Sequence, residues 1–332
     1  MNANPGGNTS PPEILYCRIC GATHGGGTIA MREMMFGTRE RFDYFLCEAC
    51  STLQIAQIPD DLGRYYSSET YYSFNNADRE PALKRILKRF AARGMVGRPA
   101  KFPRGNGPMD RIRRGAEPWT ANIEGLKFDS AILDVGCGEG ARLEALARLG
   151  FSNLTGVDPF LPEGKAGTSR SGVTLKQGAL SDVEGQFDCI TMHHSLEHFA
   201  DPGAMLESAR NLLATGGAVF VRIPIFQSEI WDRYGADWAQ IDAPRHLYLF
   251  SPDAFVDLAG RHGFECTAHG YDTLGWSLAW SEAYGRDIPM YGEGGKNSLP
   301  FDDLRLKRFE YQAKVLNAEG KGDQGYFVLR AA

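Results

Sequence analysis

The chain has 332 residues, 43% of them hydrophobic and 23% charged, and a formal net charge of −5. This length has room for about two domains, and the composition is that of a globular protein rather than of a disordered or fibrous one. No apolar run approaches the ~18 residues of a membrane-spanning helix. Residues 1–13 are rich in Asn, Gly and Pro. We expect there a disordered tail rather than a signal peptide, and therefore a cytoplasmic location.

Two Cys-x-x-Cys pairs, separated by 26 residues, are the first chemical feature of the chain. Their members are Cys17, Cys20, Cys47 and Cys50. Each pair sits at a predicted turn, and residues 28–35 and 41–46 predict the strands of a hairpin between them. Four thiolates brought together in this way suit a tetrahedral, structural Zn²⁺ with no open position. The alternatives are a redox pair, which needs one Cys-x-x-Cys at a helix N-terminus, and cysteines that simply pack.

A polar stretch with four tyrosines follows, and it predicts a loop that serves either as a platform for ligands or as the cover of a groove. These tyrosines are Tyr65, Tyr66, Tyr71 and Tyr72. Residues 79–114 then hold twelve Lys and Arg against two acids. Within them, residues 81–95 predict an amphipathic helix. Its basic face is either solvated or in contact with an anionic membrane surface or an anionic substrate. Residues 97–108, rich in Gly, Pro and Arg, predict a mobile linker.

The stretch 131–143 joins a buried strand, a glycine-rich turn and a helix N-terminus. Gly136, Gly138 and Gly140 let a ligand lie on backbone N–H groups. Their spacing also suits a dinucleotide fingerprint. However, Asp134 at the strand end would repel a pyrophosphate and attract the ammonium of S-adenosylmethionine. The residues therefore favour S-adenosylmethionine over NAD.

The rest of the chain alternates strands and helices, which predicts a doubly wound α/β fold. Strands are predicted over residues 132–135, 153–157, 173–176, 187–191, 218–223, 265–271 and 326–330. Helices are predicted over residues 141–149, 252–262 and 302–317. The segment 224–243 contains Trp231, Tyr234 and Trp238 and predicts a lid or a substrate wall. Asp201 and Ser251 have the residue types of helix N-caps.

Two predicted strands end in residues that could bind a ligand, because α/β sheets bind ligands at their carboxyl edge. Asp158 lies 24 residues after Asp134, where a carboxylate can accept from both ribose hydroxyls. His193 and His194 follow the fourth strand, and we expect His193 to contact the cofactor. A metal site made of His193, His194, His198 and Glu197 is disfavoured, because ligands spaced within one turn are poorly placed around one ion.

The stretch around Asp134 and the three glycines resembles motif I of the class I S-adenosylmethionine-dependent methyltransferases. A zinc ribbon, then a Tyr-Tyr loop, then motif I is similar to the zinc-ribbon methyltransferases of bacterial sugar and polysaccharide biosynthesis. This resemblance implies a Rossmann-like, seven-stranded sheet whose last strand is antiparallel, and a sugar or nucleotide-sugar acceptor. It also implies that the tyrosine loop lies near the cofactor and that Asp182 accepts from the adenine amine.

Residues 243–251 resemble the sugar C-methyltransferase segment Tyr-x-Glu-His-x-x-x-Phe-Ser, whose histidine is the catalytic base. His246 matches this histidine, and we expect it to be the base, with His194 second. Ala243 and Arg245 replace the tyrosine and the glutamate, so an oxygen acceptor fits as well as a carbon acceptor. The alternative is a structural His246 that binds a backbone carbonyl.

The predicted organisation is a zinc ribbon over residues 14–58, a connecting region over 59–118 and a methyltransferase domain over 119–332. The expected partner is a small molecule. An RNA methyltransferase is the main alternative, disfavoured because the basic residues cluster in one segment and the remainder is acidic. A non-catalytic cofactor-binding scaffold is disfavoured by the complete set of acids and glycines.

Overall fold

The computed structural model describes residues 15–66, 82–97, 117–292 and 295–332. The predicted tail over 1–13, almost all of the predicted linker, and Tyr71 and Tyr72 lie outside these described residues. Among the helices that the structure describes, none is long and apolar enough to cross a membrane.

The described residues contain sixteen strands and seven α-helices. The strands are β1 (Leu15–Tyr16), β2 (Thr23–His24), β3 (Ile29–Arg32), β4 (Arg41–Leu46), β5 (Leu53–Ile55), β6 (Ala131–Val135), β7 (Asn153–Asp158), β8 (Gly167–Thr168), β9 (Val173–Gln177), β10 (Phe187–His193), β11 (Leu213–Pro224), β12 (Tyr248–Leu249), β13 (Phe264–Tyr271), β14 (Tyr291–Gly292), β15 (Gly295–Lys296) and β16 (Gln324–Ala331). The α-helices are α1 (Ala82–Met95), α2 (Ala141–Leu149), α3 (Pro202–Leu212), α4 (Glu229–Tyr234), α5 (Pro252–Arg261), α6 (Gly275–Tyr284) and α7 (Asp303–Glu319).

The central sheet has the strand order β13-β16-β11-β10-β6-β7-β9-β8. Strand β6 pairs in parallel with β10 on one side and with β7 on the other. The chain thus winds outward in both directions from β6, and the crevice at its carboxyl end is where such sheets bind ligands. Strand β16 runs antiparallel to both β11 and β13, which confirms the expected antiparallel last strand.

The prediction of seven strands is wrong by one, because a short strand extends the edge of the sheet. Gly167–Thr168 pairs antiparallel with β9. The backbone N–H of Ser169 donates to the carbonyl of Val173 at 2.8 Å and closes the turn between them. A two-residue strand carries no hydrophobic period, so the sequence pattern could not indicate it.

A second sheet links the N-terminal segment to the rest of the chain. Its order is β12-β5-β4-β3, and β3 and β4 form the predicted hairpin. Strand β12 comes from the C-terminal half and pairs with β5, with Tyr248 opposite Gln54. A single hydrophobic core cluster includes Leu53 from this sheet and Val221 from the central one. The N-terminal unit is therefore packed into the fold rather than attached by a free linker.

The predicted helices and caps are largely confirmed. The carboxylate of Asp201 accepts from the N–H of Ala204 at 2.9 Å, and the hydroxyl of Ser251 accepts from the N–H of Ala254 at 3.2 Å. Trp238 is not part of a lid or wall: it is 1% exposed and donates to Asp323 Oδ2 at 2.8 Å. Burial of its large ring makes it a core residue.

Candidate functional site

The glycine turn after β6 forms a tight backbone cradle. Gly136 and Gly140 have φ values of +73° and +76°, in the left-handed region that favours glycine. A Cβ on Gly136 would lie 2.5 Å from the Cβ of Ser195, and one on Gly140 would lie 2.8 Å from a methyl carbon of Leu175. Side chains at either position would therefore collide with their neighbours. The turn can pack this closely against its neighbours only because both residues are glycine.

Asp134 lies in this cradle at the end of β6 and is 4% exposed. Its Oδ1 accepts a hydrogen bond of 2.6 Å from the hydroxyl of Thr191 on β10. Burial raises the pKa of the Asp134 carboxyl to about 6, although the charge of Arg142 and the Thr191 hydrogen bond oppose the shift. The group is therefore ionised at neutral pH and titrates in the mildly acidic range.

Asp158 and Asp182 follow the next two strands along the same edge of the sheet. Asp158 accepts from the N–H of Gly138 and from the N–H of Phe160, each at 2.8 Å. Burial raises the pKa of Asp158, and these two donors oppose that effect. Asp182 is exposed and accepts from the N–H of Ala179 at 2.9 Å. The structure thus brings the predicted acids to neighbouring strand ends.

His193 lies on the other side of Asp134, at the end of β10. Its ring contacts Trp119 edge-on at 5.2 Å and Phe220 at 5.1 Å between centroids. Burial lowers its pKa well below the usual range, and the charges of Arg142 and Arg222 act in the same direction. Neither ring nitrogen has a hydrogen-bond partner among the described residues. His193 is therefore a neutral aromatic group with free polar atoms.

Trp119 was missed as a candidate site residue, because it lies outside every motif that the sequence analysis used. Its indole N–H donates to Glu117 Oε2 at 2.8 Å, and Arg142 Nη1 lies 3.3 Å from the same oxygen. The charges of Glu117 and Arg142 also act on the pKa of Asp134. Glu117 and Trp119, from a segment that precedes β6, thus form a polar group with Arg142 at the start of α2.

A second group of polar residues surrounds the buried carboxyl of Glu197. This side chain is 0% exposed, and burial raises its pKa to about 8. Glu197 Oε1 lies 3.3 Å from His194 Nδ1 and 3.9 Å from His246 Nε2. Within the described part of the chain, neither carboxyl oxygen has a hydrogen bond of good geometry.

His246 is oriented by a backbone carbonyl. Its Nδ1 lies 2.7 Å from the oxygen of Gln240, and because a carbonyl only accepts, Nδ1 must carry the proton. Nε2 then keeps its lone pair, 3.8 Å from Asp242 Oδ2. Burial lowers the pKa of His246, which keeps the ring neutral. The arrangement agrees with the structural alternative, and it also presents Nε2 as a base.

His194 is held by Arg222. Its Nε2 lies 3.2 Å from Arg222 Nη1, and because a guanidinium only donates, Nε2 accepts. Burial lowers the pKa of His194 well below its usual range, and the Arg222 charge adds to this effect. Arg222 is itself paired with Asp272 at 2.6 Å. His194 is thus near Glu197, but its accepting nitrogen is already engaged.

Arg245 occupies the position of the glutamate in the sugar C-methyltransferase segment. It is fully buried and binds two carboxylates. Its guanidinium lies 2.6 Å from Asp242 Oδ1 and 3.1 Å from Glu33 Oε1. Burial alone would raise the pKa of Asp242, but the charge of Arg245 lowers it to about 2. Tyr44 donates to the carbonyl of His246 at 2.8 Å. The N-terminal sheet therefore holds the segment that carries His246.

The structure describes two of the four tyrosines of the predicted tyrosine loop, Tyr65 and Tyr66. Tyr66 lies at the site, and Tyr65 does not. The Tyr66 hydroxyl is 2.9 Å from His198 Nδ1, and its ring stacks on Phe160 with centroids 4.9 Å apart. Phe160 follows Asp158 by two residues. Tyr66 therefore contacts both His198 and the segment that carries Asp158. Tyr65 instead donates to Glu40 Oε2 at 2.6 Å.

Comparison with known proteins agrees with this geometry. A family model described as a methyltransferase domain matches residues 76–269. The chain belongs to this methyltransferase family. The match covers the glycine cradle, the row of acids and the segment of His246, which confirms the expected domain type.

Curated relatives of this methyltransferase include two enzymes named ubiquinone biosynthesis O-methyltransferase. That of Aeromonas salmonicida is 31% identical over 125 residues, covering 34% of this chain and 51% of the relative. That of Methylococcus capsulatus is 33% identical over 156 residues, covering 40% of this chain and 65% of the relative. The chain spans about half the length of the first of these relatives. A solved structure, the cyclopropane synthase MmaA2 from Mycobacterium tuberculosis, has a TM-score of 0.44 and 14% identity over 76% of this chain and 99% of that one.

The four predicted metal-binding cysteines of this methyltransferase form one cluster, N-terminal to the matched residues. Their sulfur atoms all lie within 4.8 Å of one another. The Cys17–Cys50 and Cys20–Cys47 sulfur distances are both 3.6 Å. A disulfide would need about 2.05 Å, whereas tetrahedral zinc with Zn–S bonds of about 2.3 Å separates its sulfurs by about 3.8 Å. The thiols are free, and the spacing fits the zinc geometry.

Proposed function

We propose that this protein transfers the methyl group of S-adenosylmethionine to a hydroxyl oxygen of a small-molecule acceptor. Membership of the methyltransferase family supports the reaction type. The observation that carries the proposal is the convergence of the glycine cradle, Asp134 and Asp158 at the carboxyl edge of β6 and β7. These groups suit a ligand that combines positive charge with a nucleoside.

Each cofactor residue has a proposed role that follows from its chemistry. Asp134 would attract the ammonium of S-adenosylmethionine, which would lie against the turn formed by Gly136, Gly138 and Gly140. Asp158 would accept from the ribose hydroxyls, and Asp182 from the adenine amine. His193, with its two unpartnered nitrogens, would contact the bound cofactor directly.

The chemistry then needs alignment and the loss of one proton. The sulfonium already activates the methyl carbon, so much of the rate comes from holding acceptor oxygen, carbon and sulfur in line. The new oxygen–carbon bond forms as the carbon–sulfur bond breaks, and S-adenosylhomocysteine leaves. A base for the hydroxyl proton contributes roughly 10²–10⁴-fold. The free lone pair on His246 Nε2 supports His246 for this role, with His194 second.

The acceptor is proposed to be a sugar or nucleotide-sugar, on the basis of the resemblance described from the sequence. The names of the curated relatives support oxygen over carbon. They also favour a second candidate acceptor, an intermediate of ubiquinone biosynthesis. Both candidates present a hydroxyl to the same cleft.

We also propose that the cysteine cluster binds a structural zinc. Four sulfurs at tetrahedral spacing support this assignment. Four protein ligands leave no open position for substrate, so this ion would stabilise the N-terminal sheet and take no part in methyl transfer.

The test is a transfer assay with methyl-labelled S-adenosylmethionine and two panels of acceptors, nucleotide-sugars and catechol-type phenols. We expect label in the product of one panel, and mass spectrometry of that product identifies the methylated atom. Asp134→Ala should abolish the transfer, whereas Asp129→Ala, an exposed acid before β6, should leave it unchanged. Label found on carbon, or in RNA added as a third substrate, would contradict the proposed oxygen acceptor.

A further inference from the structure

We propose that Glu197, His198 and His246 form a binding site for one divalent transition-metal ion. One donor atom from each residue can be chosen so that all three lie within 4.8 Å of one another. Glu197 and His198 come from the short 3₁₀ turn at residues 196–198 after β10, and His246 comes from the loop before β12. Three donor groups on two segments thus face one point.

The donor atoms of this site are buried and make no hydrogen bond of good geometry within the described residues, although Nδ1 of His194 lies 3.3 Å from Glu197 Oε1. Glu197 is 0% and His246 3% exposed. Both oxygens of Glu197, together with Nε2 of His198 and of His246, have no hydrogen-bond partner among the described residues. Buried polar atoms without partners are costly, and four of them at one point need a common explanation. A cation bound between them would satisfy all three side chains.

The other nitrogen of each imidazole is already fixed by a backbone carbonyl. Nδ1 of His198 lies 2.9 Å from the oxygen of Arg245, and Nδ1 of His246 lies 2.7 Å from the oxygen of Gln240. Because a carbonyl only accepts, each Nδ1 carries the proton, and the Tyr66 hydroxyl lies 2.9 Å from Nδ1 of His198 as a further contact. Each Nε2 therefore keeps its lone pair, and neither has a hydrogen-bond partner among the described residues. Metal-binding histidines usually have this second contact, which sets the tautomer and orients the ring.

The ligand set determines the class of metal. Two imidazole nitrogens and one carboxylate suit Zn²⁺, Fe²⁺ or Ni²⁺, whereas Mg²⁺ and Ca²⁺ prefer oxygen ligands. Three protein ligands also leave at least one coordination position open. The site therefore differs from the cysteine cluster, whose four sulfurs complete a tetrahedron.

The site adjoins the cofactor cradle. Ser195, two residues before Glu197, is the residue that a Cβ on Gly136 would strike. Tyr66 contacts His198 on one side and Phe160, next to Asp158, on the other. The metal can therefore bind the acceptor hydroxyl and lower its pKa, so that the proton leaves to solvent before the oxygen attacks the methyl carbon. This role rests on the proposed function, whereas metal binding does not.

A metal ion at this site makes His246 a ligand rather than a base, because its Nε2 cannot both accept a proton and bind the ion. The spacing of the residues in the sequence had disfavoured a metal site here. Residues 194–198 alone are poorly placed around one ion, but the fold adds His246 from 48 residues farther along the chain.

The test begins with metal-free full-length protein that receives one equivalent of Zn²⁺ to fill the four-thiolate cluster. This protein is then titrated with Co²⁺ alone and followed by visible absorption. We expect one Co²⁺ per chain with the weak bands of nitrogen and oxygen ligands. Glu197→Gln and His246→Ala should each weaken binding by at least about tenfold. The matched control is His269→Ala, an exposed histidine outside the site, which should bind like the wild type.

Circular dichroism and thermal unfolding establish that each variant is folded, so that lost binding is assigned to a lost ligand. Folded wild type without a Co²⁺ site beyond the cysteine cluster would overturn the proposal, and so would folded variants that keep wild-type affinity. Because no cofactor or acceptor is present in this titration, its result stands whether or not methyl transfer is observed. A failed transfer assay with intact Co²⁺ binding would overturn the proposed function alone.

Discussion

The charge state of Asp134 should affect the affinity for S-adenosylmethionine more directly than that of any other residue. Its pKa is raised to about 6 by burial, so it is ionised above pH 6 and becomes neutral below. We predict that affinity for S-adenosylmethionine falls about tenfold between pH 7 and pH 5, since the attraction for the cationic ligand is lost on protonation. Calorimetric titration at several pH values measures this change.

The matched variant for that prediction is Asp134→Asn, which keeps the shape and removes the charge. It should bind more weakly at pH 7 and lose most of the pH dependence. Asp158 also has a raised pKa, and a dependence that persists unchanged in the Asn variant would assign the effect to Asp158 instead.

Arg245 is the residue whose removal should cost most stability, because it lies between two buried carboxylates. Replacement by Ala leaves Glu33 and Asp242 without this partner, and breaking a buried pair on one side costs about 3–5 kcal/mol. Denaturant unfolding of Arg245→Ala measures the loss. Lys165→Ala, which removes an exposed pair with Glu139, should cost at most about 1 kcal/mol. Equal losses in the two variants would contradict this account.

The sequence predicted those candidate site residues that lie beside a glycine turn or at a strand end, because such positions can be recognised from neighbouring residues. Asp134, Asp158 and His193 are of this kind. It could not identify the contact between Glu33 and Arg245, which are 212 positions apart. One sequence holds no sign of which distant residues pair, and the buried environment of Glu197 depends on such pairings.

At the scale of elements, strands with alternating or apolar patterns were predicted almost as observed, whereas α6 was missed. Most residues of α6 are buried, among them Leu278, Ala279, Trp280 and Ala283. A helix that is apolar on all sides has no period of 3.6 to recognise. Gly and Ser have low helix propensity, and tertiary packing overrides that preference in α6.

Helix α1 presents an apolar stripe to solvent, and we propose that this stripe contacts an anionic membrane surface. Leu83, Ile86, Leu87 and Phe90 are 39–69% exposed, and the basic Arg93 lies in the last turn of the helix. We predict binding to vesicles that contain phosphatidylglycerol and little binding to phosphatidylcholine alone. Vesicle co-sedimentation of the wild type and of Phe90→Glu measures this.

Leu304→Glu is the control for the helix prediction, because Leu304 is 60% exposed on another helix. It should bind vesicles like the wild type. Equal binding to both vesicle types, or unchanged binding of Phe90→Glu, would contradict a role of this stripe.

At the scale of the whole molecule, the N-terminal sheet and the proposed methyl-transfer site are joined by direct contacts. Gln54 donates to Cys17 Sγ at 3.0 Å and lies opposite Tyr248, while Tyr44 holds the carbonyl of His246. We predict that removal of the proposed zinc lowers the thermal unfolding temperature and reduces methyl transfer more than it reduces cofactor binding. The cause is loss of support for the His246 segment.

Chelation followed by thermal unfolding and turnover assays tests the zinc prediction. Cys47→Ser should reproduce the effect of chelation, and Cys266→Ser, outside the cluster, should not. A zinc-free chain that unfolds at the same temperature as the zinc-loaded one would show that the cluster does not support the fold.

Calorimetric titration of the zinc-loaded protein with S-adenosylmethionine and S-adenosylhomocysteine tests the cofactor site directly. We predict saturable binding of one molecule per chain, weakened at least about tenfold in Asp134→Ala and unchanged in Asp129→Ala. Absence of saturable binding by the folded wild-type protein would contradict the assignment of the glycine cradle as an S-adenosylmethionine site.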